Sequence, residues 1–198
     1  DELLFAQEIM SDNKIILFAS NGKFYTLETN SLPSGRGYGD PLNLLIDLQD
    51  GDKIISLYSF KQEEELIIAS KNGYGFIVSF NDLISNRKGG KQILNLSNDD
   101  KAMSSAKLEG THIAVIGENK KMVIFGKEEL PRMKRGKGVK LQKYKEGNLK
   151  SVLSFSYEKG LNIIDKNGRS RHFNDIENWL GKRGQAGKKV PKGFPRNF

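Results

Sequence analysis

An all-β, radially repeated, propeller-like architecture is what this sequence predicts, and three observations carry the prediction. A pair of short apolar strands around a polar tip occurs four times, the tips recur at a nearly constant interval, and a glycine-bearing loop follows each pair. A period near 50 residues with about four strands per unit suits a propeller, because each small sheet buries its faces only against its neighbours. Four to five blades in a single domain are expected over residues 1–198, with repeats at about 1–60, 61–108, 109–157 and 158–198, and with a ring that can be incomplete at its N-terminal end.

The strand pairs are KIILFASNGKFYTLET from Lys14, ELIIASKNGYGFIVSF from Glu65, HIAVIGENKKMVIFG from His112 and GLNIIDKNGRSRHF from Gly160. Their tips, Asn21-Gly22, Asn72-Gly73, Asn119-Lys120 and Asn167-Gly168, place the asparagines 51, 47 and 48 residues apart. Asn-Gly predicts a type I′ hairpin turn, with positive φ at both central positions. Lys120 departs from that pattern, so the third turn should be less ideal.

After each of the last three pairs comes a hydrophobic connector: FNDLISN from Phe80, KEELPRM from Lys127 and FNDIENWL from Phe173. These are the segments with capacity for a helical turn, and Trp179 reads as a packing residue between units. The loops are SGRGYGDP from Ser34, NRKGGKQ from Asn86, MKRGKGVK from Met133 and GKRGQAGKK from Gly181. Gly89, Gly136 and Gly184 each lie 17 residues beyond the asparagine of their own tip. The tail KKVPKGFPRNF, with two prolines and two phenylalanines, is compatible with docking on a blade or with a basic tether.

Charge points to the same loops. The chain carries +8 overall, but residues 1–100 hold nine basic and fifteen acidic side chains, a net of −6, and residues 101–198 hold twenty-three and nine, a net of +14. A basic face of that kind points to a polyanionic partner. Glycine lets backbone come close to a surface while flanking cations meet phosphate oxygens. Equivalent loops in a radial array would form a positive band around the rim, suited to bent duplex DNA. The candidate DNA-binding residues are Arg87, Lys88 and Lys91; Lys134, Arg135, Lys137 and Lys140; and Lys182, Arg183, Lys188 and Lys189. Arg169 and Arg171, beside the last tip, extend the band. The first loop has only Arg36 as a cation beside Asp40, so a structural role is expected there, with Tyr38 packing.

With these residues in hand, the chain resembles the C-terminal β-pinwheel domains of the bacterial type II topoisomerases. FASNGKFYTLET, LPSGRGYGDPLNLLIDL and NRKGGKQ carry the resemblance, which covers essentially the whole chain and is most specific over Leu32 to Leu48. NRKGGKQ matches only the middle of the QRRGGKG-like box of the gyrase A subunit, since Asn86 and Gln92 replace its first and last residues; this favours the topoisomerase IV paralogue. The resemblance implies a ring of blades that exchange strands, borne by the catalytic core of the A subunit and acting through it with the ATPase B subunit. It also implies modest DNA bending rather than strong wrapping, a cytoplasmic, nucleoid-associated setting, and a parent enzyme that uses ATP and Mg2+. DELLFAQE, which lacks an initiator methionine, reads as the remnant of a preceding blade in a larger protein.

No catalytic role is expected of this chain. In that family DNA cleavage uses a tyrosine directly after an arginine, and none of the six tyrosines here follows one. GKRGQAGKK has five residues between Gly181 and Gly187 and no Ser or Thr after its lysine, so it is not a phosphate-binding P-loop. His112 and His172 have no spaced ligands, and no metal is expected. The run Glu63 to Glu65 reads as a solvated turn. There is no cysteine, and the longest apolar runs fall far short of the roughly 20 residues of a membrane span. The competing reading is a protein-interaction propeller whose basic rim docks an acidic partner; few aromatic anchors in the later loops weigh against it.

Overall fold

Strands account for nearly all the regular structure in the computed structural model, which describes residues 5–8, 10, 13–33, 35 and 39–198. Arg36, Tyr38 and the first four residues of DELLFAQE lie outside the described residues. The first hairpin is β1 (Lys14–Ala19) and β2 (Lys23–Glu28), followed by the single helical turn α1 (Leu42–Leu45) and β3 (Ile54–Ser59). The second is β4 (Glu65–Ser70) and β5 (Tyr74–Ser79), followed by β6 (Lys91–Gln92) and β7 (Ala102–Lys107). The third is β8 (His112–Gly117) and β9 (Lys121–Gly126), followed by β10 (Val139–Lys140) and β11 (Leu149–Phe155). The fourth is β12 (Leu161–Ile164) and β13 (Ser170–Phe173), followed by β14 (Lys188–Lys189).

These strands form three four-stranded antiparallel blades and a two-stranded fourth. The orders are β3-β1-β2-β6, β7-β4-β5-β10 and β11-β8-β9-β14, with β12-β13 last. Each four-stranded blade therefore takes its outermost strand from the repeat that follows, the strand exchange the resemblance implied. At the opposite edge, β3, β7 and β11 meet one another: Tyr58 and Ser56 both bond the Ser105 hydroxyl at 2.6 Å, and the Val152 N–H donates to Ser104 Oγ at 3.1 Å. The central edge is thus closed by contact between blades, and the two-residue strands β6, β10 and β14 lie outermost.

The continuous apolar runs of the hairpins follow from having a core on both faces. Ile16, Phe18 and Phe24 of the first blade pack with Leu66, Ile68 and Phe76 of the second, and the Phe18 and Phe24 rings stack at 4.4 Å. Ile67 and Ile77 face Ile113, Val115 and Phe125 of the third blade, and Ala114, Ile116 and Ile124 face Leu161 and Ile163 of the fourth. Successive residues of one strand point to opposite faces, so β1, β4 and β8 each serve two cores. The outward face of the first blade buries Ile15, Leu17, Tyr25 and Leu27 under Ile46, with Leu45 and Leu48 packed against them.

Two local expectations need revision, and an alternative left open for the tail is decided. The tips are not type I′ turns. The N–H groups of Gly22, Gly73, Lys120 and Gly168 donate to Ala19, Ser70, Gly117 and Asp165, each three residues back, and the left-handed conformation falls on those four residues alone, at φ 79, 87, 58 and 76, not on the asparagines. This is a type I turn followed by one left-handed residue, the geometry of a three-residue hairpin loop. The side chains of Asn21 and Asn119 accept from the N–H groups of Lys23 and Lys121, which favours asparagine there without positive φ. Helical structure extends beyond the three connectors, to α1 and to single 3-10 turns at Thr29–Ser31 and Tyr157–Lys159. The tail is docked: Phe194 stacks on Phe173 at 5.7 Å, Lys150 lies 4.5 Å from the Phe198 ring centre, and the Lys166 N–H donates to the Asn197 carbonyl.

Candidate nucleic-acid interface

Each of the three later loops is an excursion pinned at both ends to the second strand of the hairpin one repeat earlier. In the third repeat the Met133 N–H donates to the Ile77 carbonyl, and Val139 and Lys140 pair with Gly75 and Tyr74 of the same strand. In the fourth repeat the Gly181 N–H donates to Ile124, and Lys188 and Lys189 pair with Met122 and Lys121. In the second repeat the Ser85 N–H donates to Thr26 Oγ1, and Lys91 and Gln92 pair with Phe24 and Lys23.

A left-handed glycine precedes each outermost strand: Gly90 at φ 72, Gly138 at φ 77 and Gly187 at φ 76. A Cβ on Gly138 would collide with the carbonyl oxygen of Gly75, one on Gly187 with that of Met122, and one on Gly90 would come within 2.9 Å of the Phe24 carbonyl and the Tyr25 ring. These glycines let the loop lie flat on the neighbouring blade. They are not the glycines at the regular 17-residue spacing, of which Gly89 has open space around it.

The loops are also joined to one another. The Asp47 N–H, in the first repeat, donates to the Lys88 carbonyl at 2.9 Å. Gly136 donates to Ile93 and accepts from Asn95, and Gly184 donates to Leu141. Arg183 completes the last junction, with Nε donating to the Glu129 carbonyl at 3.0 Å and Nη1 to the Lys140 carbonyl at 2.8 Å. Loops two, three and four therefore run as a hydrogen-bonded series along the outer edge.

Of the thirteen predicted cations, eleven are exposed, and Lys140 and Arg183 are half-buried. Lys88, Lys91 and Lys140 donate their ammonium groups to the carbonyls of Leu44, Asp82 and Asn72, so with Arg183 four of the set also brace the fold. Lys137 and Lys140 rest on the Tyr74 ring, at 4.2 and 4.6 Å from its centre. Arg87, Lys134, Arg135, Arg169, Arg171, Lys182, Lys188 and Lys189 make no side-chain hydrogen bond among the described residues. The ion pairs there, Lys14–Glu28, Lys61–Glu64, Lys107–Glu64 and Arg132–Glu65, involve none of the thirteen. Sequence reasoning overlooked the tip cations Lys23, Lys120 and Lys121; the signal was the two-residue offset of Lys23 and Lys121 from the tip asparagines, with Lys120 adjacent.

Trp179, the two histidines and most of the Glu63 to Glu65 run make contacts within the fold. Trp179 packs in the third core and donates Nε1–H to the Lys189 carbonyl at 2.8 Å, holding β14 in place. His172 bonds the side chains of Asn162 and Asn174, and His112 lies against Tyr157 with ring centres 4.8 Å apart. Glu64 and Glu65 are ion-paired, while Glu63 is exposed in a turn at φ 67. Among the described residues no group of three or more His, Cys, Asp or Glu side chains is arranged to hold a metal ion, and no helix is long and apolar enough to cross a membrane.

Comparison with known proteins agrees with this geometry. Residues 13–61, 64–106 and 112–149 match the family described as DNA gyrase C-terminal domain, beta-propeller. The A subunit of DNA topoisomerase 4 from Caulobacter vibrioides is 46% identical over 197 residues, covering 100% of this chain and 26% of that protein. The Rickettsia conorii protein of the same name is 37% identical over 193 residues, covering 98% of this chain and 26% of its own length. The chain thus spans about a quarter of the length of these relatives. The E. coli ParC C-terminal domain superposes with a TM-score of 0.78 at 26% identity, covering 94% of this chain and 79% of that one. The DNA gyrase A C-terminal domain, at 22% identity and a TM-score of 0.69 over 93% of this chain and 63% of that one, shares the fold. Blades completed by their successors and a match across three of the four repeats lead to one assignment: the chain belongs to the gyrase C-terminal β-propeller family, as a C-terminal β-pinwheel domain of the kind found in the topoisomerase IV A subunit.

Proposed function

We propose that this chain is a non-catalytic domain that binds and bends duplex DNA, positioning it for strand passage, relaxation and decatenation by a parent topoisomerase IV. The observation that carries the reading is the row of exposed cations on loops two to four, which are joined in series along the outer edge and unpaired with any carboxylate of the described residues. Phosphate contacts supply affinity without sequence readout. Bending a site by 40 to 90° costs of order 1–6 kcal/mol, which several such contacts offset. The first blade, with its acidic surplus, contributes less than the others.

In this reading the repeats at about 1–60, 61–108, 109–157 and 158–198 form one domain, borne by the catalytic core of the A subunit and working through it with the ATPase B subunit. ATP and Mg2+ serve the parent enzyme, in the cytoplasm at the nucleoid. The partial match of NRKGGKQ to the gyrase box supports bending over extensive wrapping.

The test is binding of the domain to relaxed duplex DNA across a salt series, beside a Lys134→Ala, Arg135→Ala, Lys137→Ala triple variant. The expected result is a steep dependence on salt that becomes shallower in the variant, by about 0.9 in log–log slope for each phosphate no longer neutralised. Negligible binding by both proteins at low salt would exclude DNA as the partner of the isolated domain and bring an acidic protein partner forward.

A further inference from the structure

We propose that the hairpin tips supply a second row of phosphate contacts beside the loop row, formed by Lys23, Lys120, Lys121 and Arg169, with Lys137 and Lys140 taking that place on the second blade. The inference rests on the DNA reading above and adds Lys23, Lys120 and Lys121 to its cations, joining them to Arg169 and to Lys137 and Lys140 of the third loop.

The row is defined by position. Two residues beyond the tip asparagines stand Lys23, Tyr74, Lys121 and Arg169. Three are cations, and the fourth is the aromatic ring against which the ammonium groups of Lys137 and Lys140 lie. In the first three blades this residue faces, in register, the second residue of the incoming outermost strand: Lys23 opposite Gln92, Tyr74 opposite Lys140, and Lys121 opposite Lys189. Every blade thus presents positive charge at the end of its outer edge.

The tip row is also attached to the loop row. The tip carbonyls of Asn21, Asn72 and Lys120 accept from Gln92 Nε2, Lys140 Nζ and the Val190 N–H. Two neighbouring rows of cations fit a duplex, which offers two phosphate strands on either side of a groove. On the fourth blade no strand lies beyond β13 among the described residues, and Arg169 and Arg171 are exposed there.

The third tip shows charge kept against the interest of the fold. Lys120 occupies, at φ 58, the left-handed position that glycine fills in the other three tips, a conformation unfavourable for a residue with a side chain. Lys121 and Lys189 are like charges directly opposite on an antiparallel pair, which is also unfavourable. None of the three is ion-paired among the described residues. Local strain of this kind persists where something other than stability selects the residue.

The experiment is the same salt series on relaxed duplex DNA, with a Lys120→Gly, Lys121→Gln double variant and, on another blade, Lys23→Gln. Lys120→Gly installs the residue of the other tips, so the fold is retained, as thermal denaturation would verify. Support would be a slope shallower by about 1.8 in the double variant and about 0.9 in Lys23→Gln, with an unchanged or higher melting temperature. Unchanged affinity and slope in both variants, beside an unsubstituted domain that binds, would overturn the second row and leave the loop row standing. Failure of the unsubstituted domain to bind would take down both.

Discussion

The ammonium group of Lys140 lies 4.6 Å from the centre of the Tyr74 ring, and the two residues face each other in register where the incoming strand β10 meets β5. Lys137 approaches the same ring at 4.2 Å, so one tyrosine holds two cations of the third loop against the second blade. Exposed contacts of this kind contribute about 0.5–1 kcal/mol each. Tyr74→Leu should therefore lower the stability of the domain by about 1–2 kcal/mol in urea unfolding, while Tyr74→Phe, which keeps the ring, should stay close to the unsubstituted protein.

Glycines of different basic loops should differ sharply in tolerance. Gly138 combines φ 77 with a Cβ position blocked by the Gly75 carbonyl, so Gly138→Ala should cost about 2–4 kcal/mol by lifting β10 from its neighbour. Gly89 has nothing within 4 Å and no left-handed φ, and Gly89→Ala should change stability by no more than about 0.5 kcal/mol. Thermal melts of the two variants would decide this.

Tyr144 predicts how the domain responds to alkali. Its hydroxyl is buried without a hydrogen-bond partner, and burial, with the Glu118 carboxylate adding, holds its pKa well above the ordinary value. In the unfolded chain the group ionises near pH 10. The contribution of the neutral hydroxyl is thus constant below about pH 10, and is lost as pH rises above it because only the unfolded state releases the proton. Tyr144→Phe should raise stability at neutral pH by about 1 kcal/mol, since no partner is lost, and should flatten the decline between about pH 10 and 12.

The first three hairpins were legible in the sequence because their strands carry near-continuous apolar runs and an asparagine marks each tip, and the fourth, whose β13 reads SRHF, was legible from its tip and the period. Their turn type was not, since Asn followed by Gly suits both a type I′ turn and a type I turn with one left-handed residue. Strands after the basic loops were expected, but the pairing of β6, β10 and β14 was not readable, because each is two residues long and joins a hairpin about 65 residues earlier. For the candidate interface, the recurrence of basic loops along one edge was readable from the period. Which of them also brace the fold was not, because Lys88, Lys91, Lys140 and Arg183 donate to backbone carbonyls, groups that every residue type carries.

Strand exchange also sets the order in which the protein can be completed on the ribosome. β2 ends at Glu28, but the residues that cover its outer edge, Lys91 and Gln92, emerge only after the whole second hairpin. Each of the first three nascent blades therefore waits with one bare edge until its successor arrives, and their assembly trails synthesis by one repeat. The strand that ends the wait follows directly on the cationic loop, so a growing chain gains its outer row of positive charge one blade at a time, as each sheet is sealed.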